Sequence, residues 1–528
     1  MAPQRTHFSY LVSRTLALLA PAHRDEIITI LNTIGTVYMT SRIAHTPLQQ
    51  RQAGILLHPT SLPGPWHCGD LGHEAWHFVD FLAAAGQRVW QILPLGPTHD
   101  DLSPYQSLSA HAGNPQLISI EALQAQGWLG EVVPDPRREG KAPLIARAWQ
   151  GFQAHADDAA RAALQHFIDS THWLDDYALF CLIKRIEQGS GWTAWPAVLR
   201  DRDSATLTAL RRDYADELAV LHFEQFVFDQ QWQALKAHAN GKGIIIFGDM
   251  PIFVAHDSAD VWAQRQCFDL DESGRPTVVA GVPPDYFSAT GQRWGNPHYD
   301  WEWMETDRFN WWRQRMDGQL RLFDLVRIDH FRGFEAYWEI PAHENTAMNG
   351  RWVKAPGDAL FTALAQRFDP LPVVAEDLGT ITAEVTALRD KYALPGMRIL
   401  HFAFDGSPNN PYLPHNHSEN SVVYTGTHDN DTTLGWWHTL PESTRQIMQE
   451  YLGQPAEPMP WPLIRTAYAS VARLAIVPMQ DVMELCGEYR MNTPGTTVGN
   501  WQWRFCWDQV AADLGLRLRR LAELYRRV

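Results

Sequence analysis

Short, continuous apolar runs recur along the 528-residue chain, separated by stretches of helical period. They are GILLH (54–58), RVWQILPL (88–95), GIIIFGD (243–249), DLVRID (324–329), PVVAED (372–377), RILHFAF (398–404), SVVYTGTHD (421–429) and LAIVPMQD (474–481). Their length and lack of alternation suit strands buried on both faces, as in a parallel sheet. Amphipathic segments lie between several of them. ITAEVTALRDKYAL starts after Thr380, a residue type that caps helices, and stops before Pro395, and PLIRTAYASVARL has the same period. Alternating strands and helices predict an α/β fold, and this number of strands favours a closed (β/α)8 TIM barrel over an open doubly wound sheet. The sequence has no GxGxxG or GxxxxGK[ST] phosphate loop, which also weighs against a nucleotide fold.

The spacing is uneven. About residues 96–242 form a long Ala-, Leu- and Gln-rich insertion with helical periodicity, read as a helical subdomain in a barrel loop. About residues 250–323 are rich in Gly, Pro and Trp around GVPPDYFSATGQRWGNP, too long for a plain connection, and are read as a lid-like loop region. The chain finishes in a helical pattern, DQVAADLGLRLRRLAELYRR, so no C-terminal β-sandwich is expected. Residues 1–38 are read as a non-core extension ahead of a catalytic barrel spanning 39–528. Arg14 interrupts the early apolar run, which argues against a secretory signal. Met39 shortly precedes GILLHPTSLPG, so a start assigned too early and an extra helix are both open readings.

Composition narrows the partners. The formal net charge is −16, with 44 Lys+Arg against 60 Asp+Glu, which argues against nucleic acid and anionic membranes, since both need a basic face. No uninterrupted apolar stretch is long enough to span a bilayer. The five cysteines, Cys68, Cys181, Cys267, Cys486 and Cys506, are scattered without a CxxC pair, so a disulfide framework and a structural zinc site are not expected and a reducing cytoplasm fits. The 23 tryptophans can be sugar-stacking surfaces or core filling, and composition does not separate the two.

Candidate chemistry sits at the strand ends. Asp249, Asp329, the Glu376–Asp377 pair and Asp429 close four of the apolar runs. In a barrel, parallel strands deliver these ends to one face, where active sites are built. A single strand-end Asp is ordinarily a helix cap, but recurrence at several strand ends is hard to explain by capping. Converging carboxylates among Trp and Tyr point to glycosidic chemistry, in which one acid attacks the anomeric carbon and another protonates the leaving oxygen. A divalent metal centre built from the same acids, with His330 and His428 beside them, is the competing arrangement.

The ordered segments GILLHPTSLPGPWHCGDLG, QILPLGPTHDDLSPYQSLSAHAGNP, GIIIFGDMPIFVAHDSADVW, GVPPDYFSATGQRWGNPHYDW, LVRIDHFRGF, VVAEDLGTI, PGMRILHFAF, VVYTGTHDNDT and RMNTPGTTVGNWQWR resemble those of the 4-α-glucanotransferases of the α-amylase superfamily, the amylomaltases or disproportionating enzymes. The resemblance runs from about residue 53 to the C-terminus. THDDLSPYQ departs from the family's usual Gly-rich version.

The resemblance implies a role for each residue. Asp329, in RIDHFRG, is similar to the nucleophile that forms a covalent glucosyl enzyme. Arg327, two residues earlier on the same strand face, would hold it ionised or form a structural ion pair, and both can be true. Glu376, in AEDLG, matches the general acid/base, whose site should raise its pKa. Asp377 beside it should point away, as an N-cap or a structural partner. Asp429, in THDND, matches the third carboxylate, with His428 on the same sugar; Asp431 has no counterpart role in the family and is read as a cap. Asp249 is expected near Arg327 and the reacting sugar, or as that arginine's structural partner. Tyr105, in SPYQ, matches the ring that stacks on the reacting glucose, and Ser103 belongs to the same segment. Gln292 and Trp294, in GQRWGNP, are implied to flank the groove, with a loop anchor the other reading for the Trp. His330 and Asn492 are implied glucan contacts. Trp436 and Trp437 are left to the core.

The implied substrates are α-1,4-glucans, namely maltooligosaccharides, starch or glycogen, with no metal or organic cofactor. Hydrolysis and transfer share the covalent half-reaction, so the choice of transferase rests on the resemblance. A glucan hydrolase and a non-catalytic glucan-binding protein on the same barrel are the alternatives.

Overall fold

The apolar runs fold as parallel strands of one sheet. The computed structural model describes residues 48–131, 140–284, 288–496 and 498–528. Its strands are β1 (Gln52–Leu56), β2 (Val89–Gln91), β3 (Ile245–Pro251), β4 (Val278–Val282), β5 (Gln292–Pro297), β6 (Leu325–Asp329), β7 (Ala336–Pro341), β8 (Arg351–Lys354), β9 (Val373–Ala375), β10 (Gly396–Ile399), β11 (Ser421–Tyr424) and β12 (Leu474–Pro478). The 8-stranded sheet has the order β10-β11-β12-β1-β2-β3-β6-β9, which is chain order around a ring. The Ala375 N–H donates to the Pro395 carbonyl at 2.9 Å, bringing β9 against the start of β10 and completing the circuit. This is the expected (β/α)8 barrel. The extension expected over residues 1–38 lies outside the described residues.

The strands lack alternation because both faces are covered. Ile55, Trp90, Ile246, Val326, Val373, Val423 and Ile476 are all fully buried. At Gly54, β1 and β2 approach so closely that a Cβ would meet the Val89 carbonyl oxygen at 2.3 Å, so no larger residue fits. Trp90, Trp192, Trp232, Trp262, Trp311 and Trp312 are also fully buried, so much of the tryptophan content is core.

Between β2 and β3 the chain is mainly helical, ending in the long helix Ala215–Gly241 that leads into β3. Its apolar face buries Phe223, Phe226, Val227, Trp232 and Leu235. Two buried glutamines on this helix hold the segment after Tyr105. Gln225 accepts the Gly113 N–H at 2.8 Å and donates to its carbonyl at 3.0 Å. Gln231 does the same for Ser119, at 2.7 and 3.1 Å. Each amide satisfies both backbone groups of one residue, as a sheet neighbour would.

The reading of 250–323 as loop needs correction. It contains β4, β5 and the helices Trp301–Thr306 and Asn310–Leu322. β4 and β5 join β7 and β8 in a 4-stranded antiparallel sheet, order β5-β4-β7-β8. Segments following β3 and β6 thus build a second sheet, and β5 carries Gln292 and Trp294. Residues 285–287 of this stretch lie outside the described residues. The helix after β9 is Ala383–Lys391, capped by Thr382, not Thr380. After β12 the described chain adds no further strand and finishes with the helix Leu514–Leu524.

Candidate active site

Strand register assembles the first part of the site. Asp249 on β3 is the cross-strand partner of Arg327 on β6, and Asp329 follows Arg327 on the same strand face. The fully buried guanidinium therefore reaches both acids, with Nη1 2.6 Å from Asp249 Oδ2 and Nη2 2.7 Å from Asp329 Oδ1. Burial works against the arginine's charge, but the two carboxylates hold its proton more firmly than usual. Asp249 is pushed upward by burial against the pull of Arg327. Its Oδ2 also accepts the Tyr105 hydroxyl at 2.7 Å. The phenol is raised well above its ordinary value by burial first and by Asp249 next, and it lies within electrostatic range of Asp329 and Asp429. The Asp329 side chain is 31% exposed, while that of Asp249 is 0% exposed, so Asp329 is the member of this group that a ligand can reach.

Glu376 directly follows β9. Its backbone is tied to β6 through its N–H to Ile328 O at 3.0 Å and its carbonyl to Phe331 N at 3.1 Å. Its carboxyl accepts the His330 N–H at 2.7 Å and the Leu378 N–H at 2.8 Å. Burial pushes the acid up to about 8, the nearby Asp329 adds to this, and Arg327 and the two amides pull the other way. Asp377 points away, accepting Met397 N–H at 2.7 Å and pairing with Arg389 and Arg398, so it is a structural ion-pair partner.

Asp429 lies in the loop after β11. Asn492 donates to its Oδ1 at 2.6 Å, and His428 Nε2 is 3.3 Å from Oδ2. With a side chain 43% exposed, it faces the open end. The Tyr105 and His428 rings stack at 5.3 Å, 13° from parallel. Trp294 meets the His330 ring edge-on at 4.9 Å and donates its Nε1–H to Gln292 Oε1 at 3.1 Å. Ser103 shapes the turn, its hydroxyl accepting the Tyr105 N–H at 3.3 Å. In this departure from the Gly-rich version, the left-handed position falls on Leu102 (φ 61°), a residue that leaves 44% of its surface exposed. Asp431 accepts the adjacent Thr432 N–H at 2.7 Å, whereas Thr432 caps the helix Thr433–Thr439. Trp436 packs against the core and stacks on His401 at 4.2 Å, and Trp437 is also packed on the core.

Among the described residues no group of three or more His, Cys, Asp or Glu is arranged to hold a metal ion.

Three neighbours escaped the sequence reading. Trp501, in a left-handed conformation (φ 65°), sets its ring 5.9 Å from both Tyr105 and His428. Arg490 donates to the Asp429 carbonyl at 2.8 Å. His58, just beyond β1, lines a cleft with His428, Asp431, Arg490 and Trp503. Arg490 opens the matched segment RMNTPGTTVGNWQWR and Trp501 lies near its end, and both carried a signal only as members of it.

The chain is similar to known proteins over nearly its whole described length. Residues 57–509 match the family described as 4-α-glucanotransferase. A 4-α-glucanotransferase from Thermus thermophilus is 51% identical over 496 residues, 90% of this chain and 99% of that protein. One from Synechocystis sp. is 49% identical over 498 residues, 91% of this chain and 99% of that protein. The amylomaltase from Streptococcus agalactiae, solved in complex with acarbose, superposes with a TM-score of 0.87 at 37% identity, covering 90% of this chain and 100% of that one. With a family match across most of its length and relatives this similar, the chain belongs to the 4-α-glucanotransferase family.

Proposed function

We propose that this enzyme transfers a segment of an α-1,4-glucan to the 4-hydroxyl of an acceptor glucan or glucose by retaining double displacement. Asp329 attacks the anomeric carbon while Glu376 gives its proton to the leaving 4-oxygen, and a covalent β-glucosyl ester forms with inversion. Glu376, now a carboxylate, takes the proton of the acceptor hydroxyl as that oxygen attacks the same carbon. The ester opens with a second inversion, so the α configuration is retained. Asp429, steadied by Asn492, binds sugar hydroxyls and favours the distorted transition state. Tyr105 supplies a stacking face, with Ser103 shaping its turn. Gln292, Trp294, His330 and His428 contact the glucan, and Asp249 and Arg327 orient the nucleophile.

The observation that carries this reading is the contrast between two neighbouring acids. Asp329 is ion-paired at 2.7 Å and open to ligand, whereas burial and the nearby Asp329 push Glu376 up to about 8, so that it holds its proton at neutral pH. That is the division of labour a retaining glycosyl transfer requires. Maltooligosaccharides, starch and glycogen are the substrate class. We place the active-site face in residues 39–528, with the helical block of about 96–242 and the sheet around Trp294 as its walls. No helix among the described residues is long and apolar enough to cross a membrane, and the cysteines are free thiols. We assign the enzyme to the cytoplasm.

Incubation with maltotriose tests the reading. A ladder of longer and shorter oligosaccharides with free glucose is expected. Shortened products alone would mean hydrolysis, and an unchanged substrate would mean a glucan-binding protein.

A further inference from the structure

The loop that carries His428 and Asp429 begins at Thr425, directly after β11, and ends at Thr433, the first residue of the helix Thr433–Thr439. Both ends meet one side chain from the neighbouring strand's exit. Asp481 lies in the helical turn Met479–Val482 immediately after β12, which pairs with β11. Its Oδ2 accepts the Thr425 hydroxyl at 2.6 Å and the Thr433 hydroxyl at 2.6 Å, and its Oδ1 accepts the Thr433 N–H at 2.7 Å. The carboxylate is 1% exposed. His401 completes the arrangement. Its Nε2 lies 3.0 Å from the Thr433 oxygen, whose own proton is directed to Asp481, so the imidazole is the donor.

A buried carboxylate is costly unless hydrogen bonds satisfy it. Here those bonds come from the two ends of one loop. Between them the loop is braced internally, with Asn430 Oδ1 accepting the Thr427 N–H at 2.8 Å and its hydroxyl at 2.9 Å. The span is thus a stiff unit fixed at its two feet by Asp481, and Asp429 sits on its free side. An amide in its place can keep the Thr433 N–H only by turning its NH2 to the two hydroxyls, which must then accept where they now donate, and it loses the charge that holds both.

We propose that Asp481 is a positioning residue for Asp429: by clamping Thr425 and Thr433 it sets where the Asp429 carboxyl points in the sugar site. The proposal rests on the reading of Asp429 as a transition-state contact. It adds a second acid to that function, at the end of LAIVPMQD, acting through the loop without touching substrate.

A double-mutant cycle on the full chain, with kcat and KM measured on maltotriose, tests it. Asp481→Asn should lower kcat about a hundredfold, the cost of a misplacement near 1 Å, with KM much less affected. Combined with Asp429→Asn, it should cost almost nothing more, because the group it positions is already gone. Thr425→Val guards against misfolding of the Asn variant. It keeps shape while removing one foot of the clamp, and should lower kcat in the same direction, with Thr425→Ser restoring it. Losses that multiply in the double variant, or Asp481→Asn and Thr425→Val activities equal to wild type, would overturn the clamp while leaving the Asp429 reading intact. An Asp429→Asn enzyme as active as wild type would overturn that reading and the proposal with it.

Discussion

The backbone N–H of His330 donates to Glu376 Oε2 at 2.7 Å, and His330 adopts the left-handed conformation, φ 55°, in doing so. His330 immediately follows Asp329, so the end of β6 supplies one acid as a side chain and grips the other with the next amide. A non-glycine residue in this region carries local strain that the surroundings must offset. What the strain secures is a fixed relation between two carboxyl groups that come from different strands. The grip uses the backbone, so it does not depend on the imidazole.

Asp329→Asn should abolish transfer while leaving the fold intact. The amide is nearly isosteric but cannot form the covalent ester. Arg327 would keep an oxygen acceptor at that position, so unfolding should shift little. Single-turnover and steady-state rates on maltotriose should fall by at least about three orders of magnitude. A variant retaining about a tenth of kcat would have lost less than about 1.5 kcal/mol, too little for a nucleophile, and the assignment would move elsewhere.

The pH dependence should follow Glu376. Its proton is needed for the first half-reaction, so kcat/KM should decline as pH rises through about 8, the value to which burial pushes it. A rate flat to well above that limb would remove Glu376 as the acid. The same shift has a stability consequence of known sign. A folded-state value raised from 4.5 stabilises the fold fully below about pH 4.5, and this contribution is lost as pH climbs toward 8. Glu376→Gln should therefore be inactive, and its resistance to denaturant relative to wild type should rise between about pH 4 and pH 9 as the wild type loses this contribution; at about pH 4 it should be the less stable of the two, because its NH2 must face the N–H of His330 or Leu378.

The barrel was legible because burial on both faces writes strands as unbroken apolar runs. Where pairing is non-local, the pattern failed. The run RILHFAF predicts a strand over 398–404, but β10 starts at Gly396 and the chain turns into a 3-10 helix at Leu400. The Met397 amide bonds Asp377 Oδ1, and a Cβ at Gly396 would meet Asp377 Oδ2 at 2.3 Å. That start is set by an acid twenty residues upstream, which no local period records. β7 and β8 are short and mixed in polarity, and β7 becomes a strand only against β4 and β8 against β7. In the site, the acids at strand ends could be read because a parallel barrel must gather them. Asp481 closes a run in the same way, yet its partners Thr425 and Thr433 lie 56 and 48 residues away, a relation only the folded chain reveals.

Tyr105 should separate stacking from hydrogen bonding. Tyr105→Phe keeps the face that lies against His428 but deletes the hydroxyl at Asp249 Oδ2. Asp249 is then left with Arg327 alone on that oxygen, and its Oδ1 already lacks a partner among the described residues. A loss near 1.4 kcal/mol, about tenfold in kcat/KM, is expected for the Phe variant. Tyr105→Ala removes the ring proposed to stack on the sugar as well and should cost a further factor of about ten or more, with KM rising. Equal losses in the two variants would mean that the ring face contributes nothing.

The last prediction concerns the opposite end of the barrel. Arg527, the penultimate residue, is fully buried, and its guanidinium donates to the carbonyls of Gln52, Tyr468, Ser470, Ala472 and Arg473 at 2.6–3.2 Å. Gln52 opens β1 and Arg473 precedes β12, so this one side chain staples the strand pair at its entry, far along the strands from the acids at their exits. Residues at this end of such barrels serve stability, whereas those at the other end serve chemistry. Arg527→Ala should take one donor from each of five carbonyls, of which Tyr468 and Ser470 keep Arg51 and Arg473 keeps the Gln52 N–H, and cost about 2–4 kcal/mol. At 25 °C, where the variant is still folded, kcat and KM on maltotriose should stay within about twofold of wild type. Arg527→Lys can reach only part of the set and should recover a fraction of the stability. Denaturant titration followed beside the maltotriose assay checks both halves. A fall in kcat without a loss of stability would mean that this end of the barrel also sets the geometry of the acids.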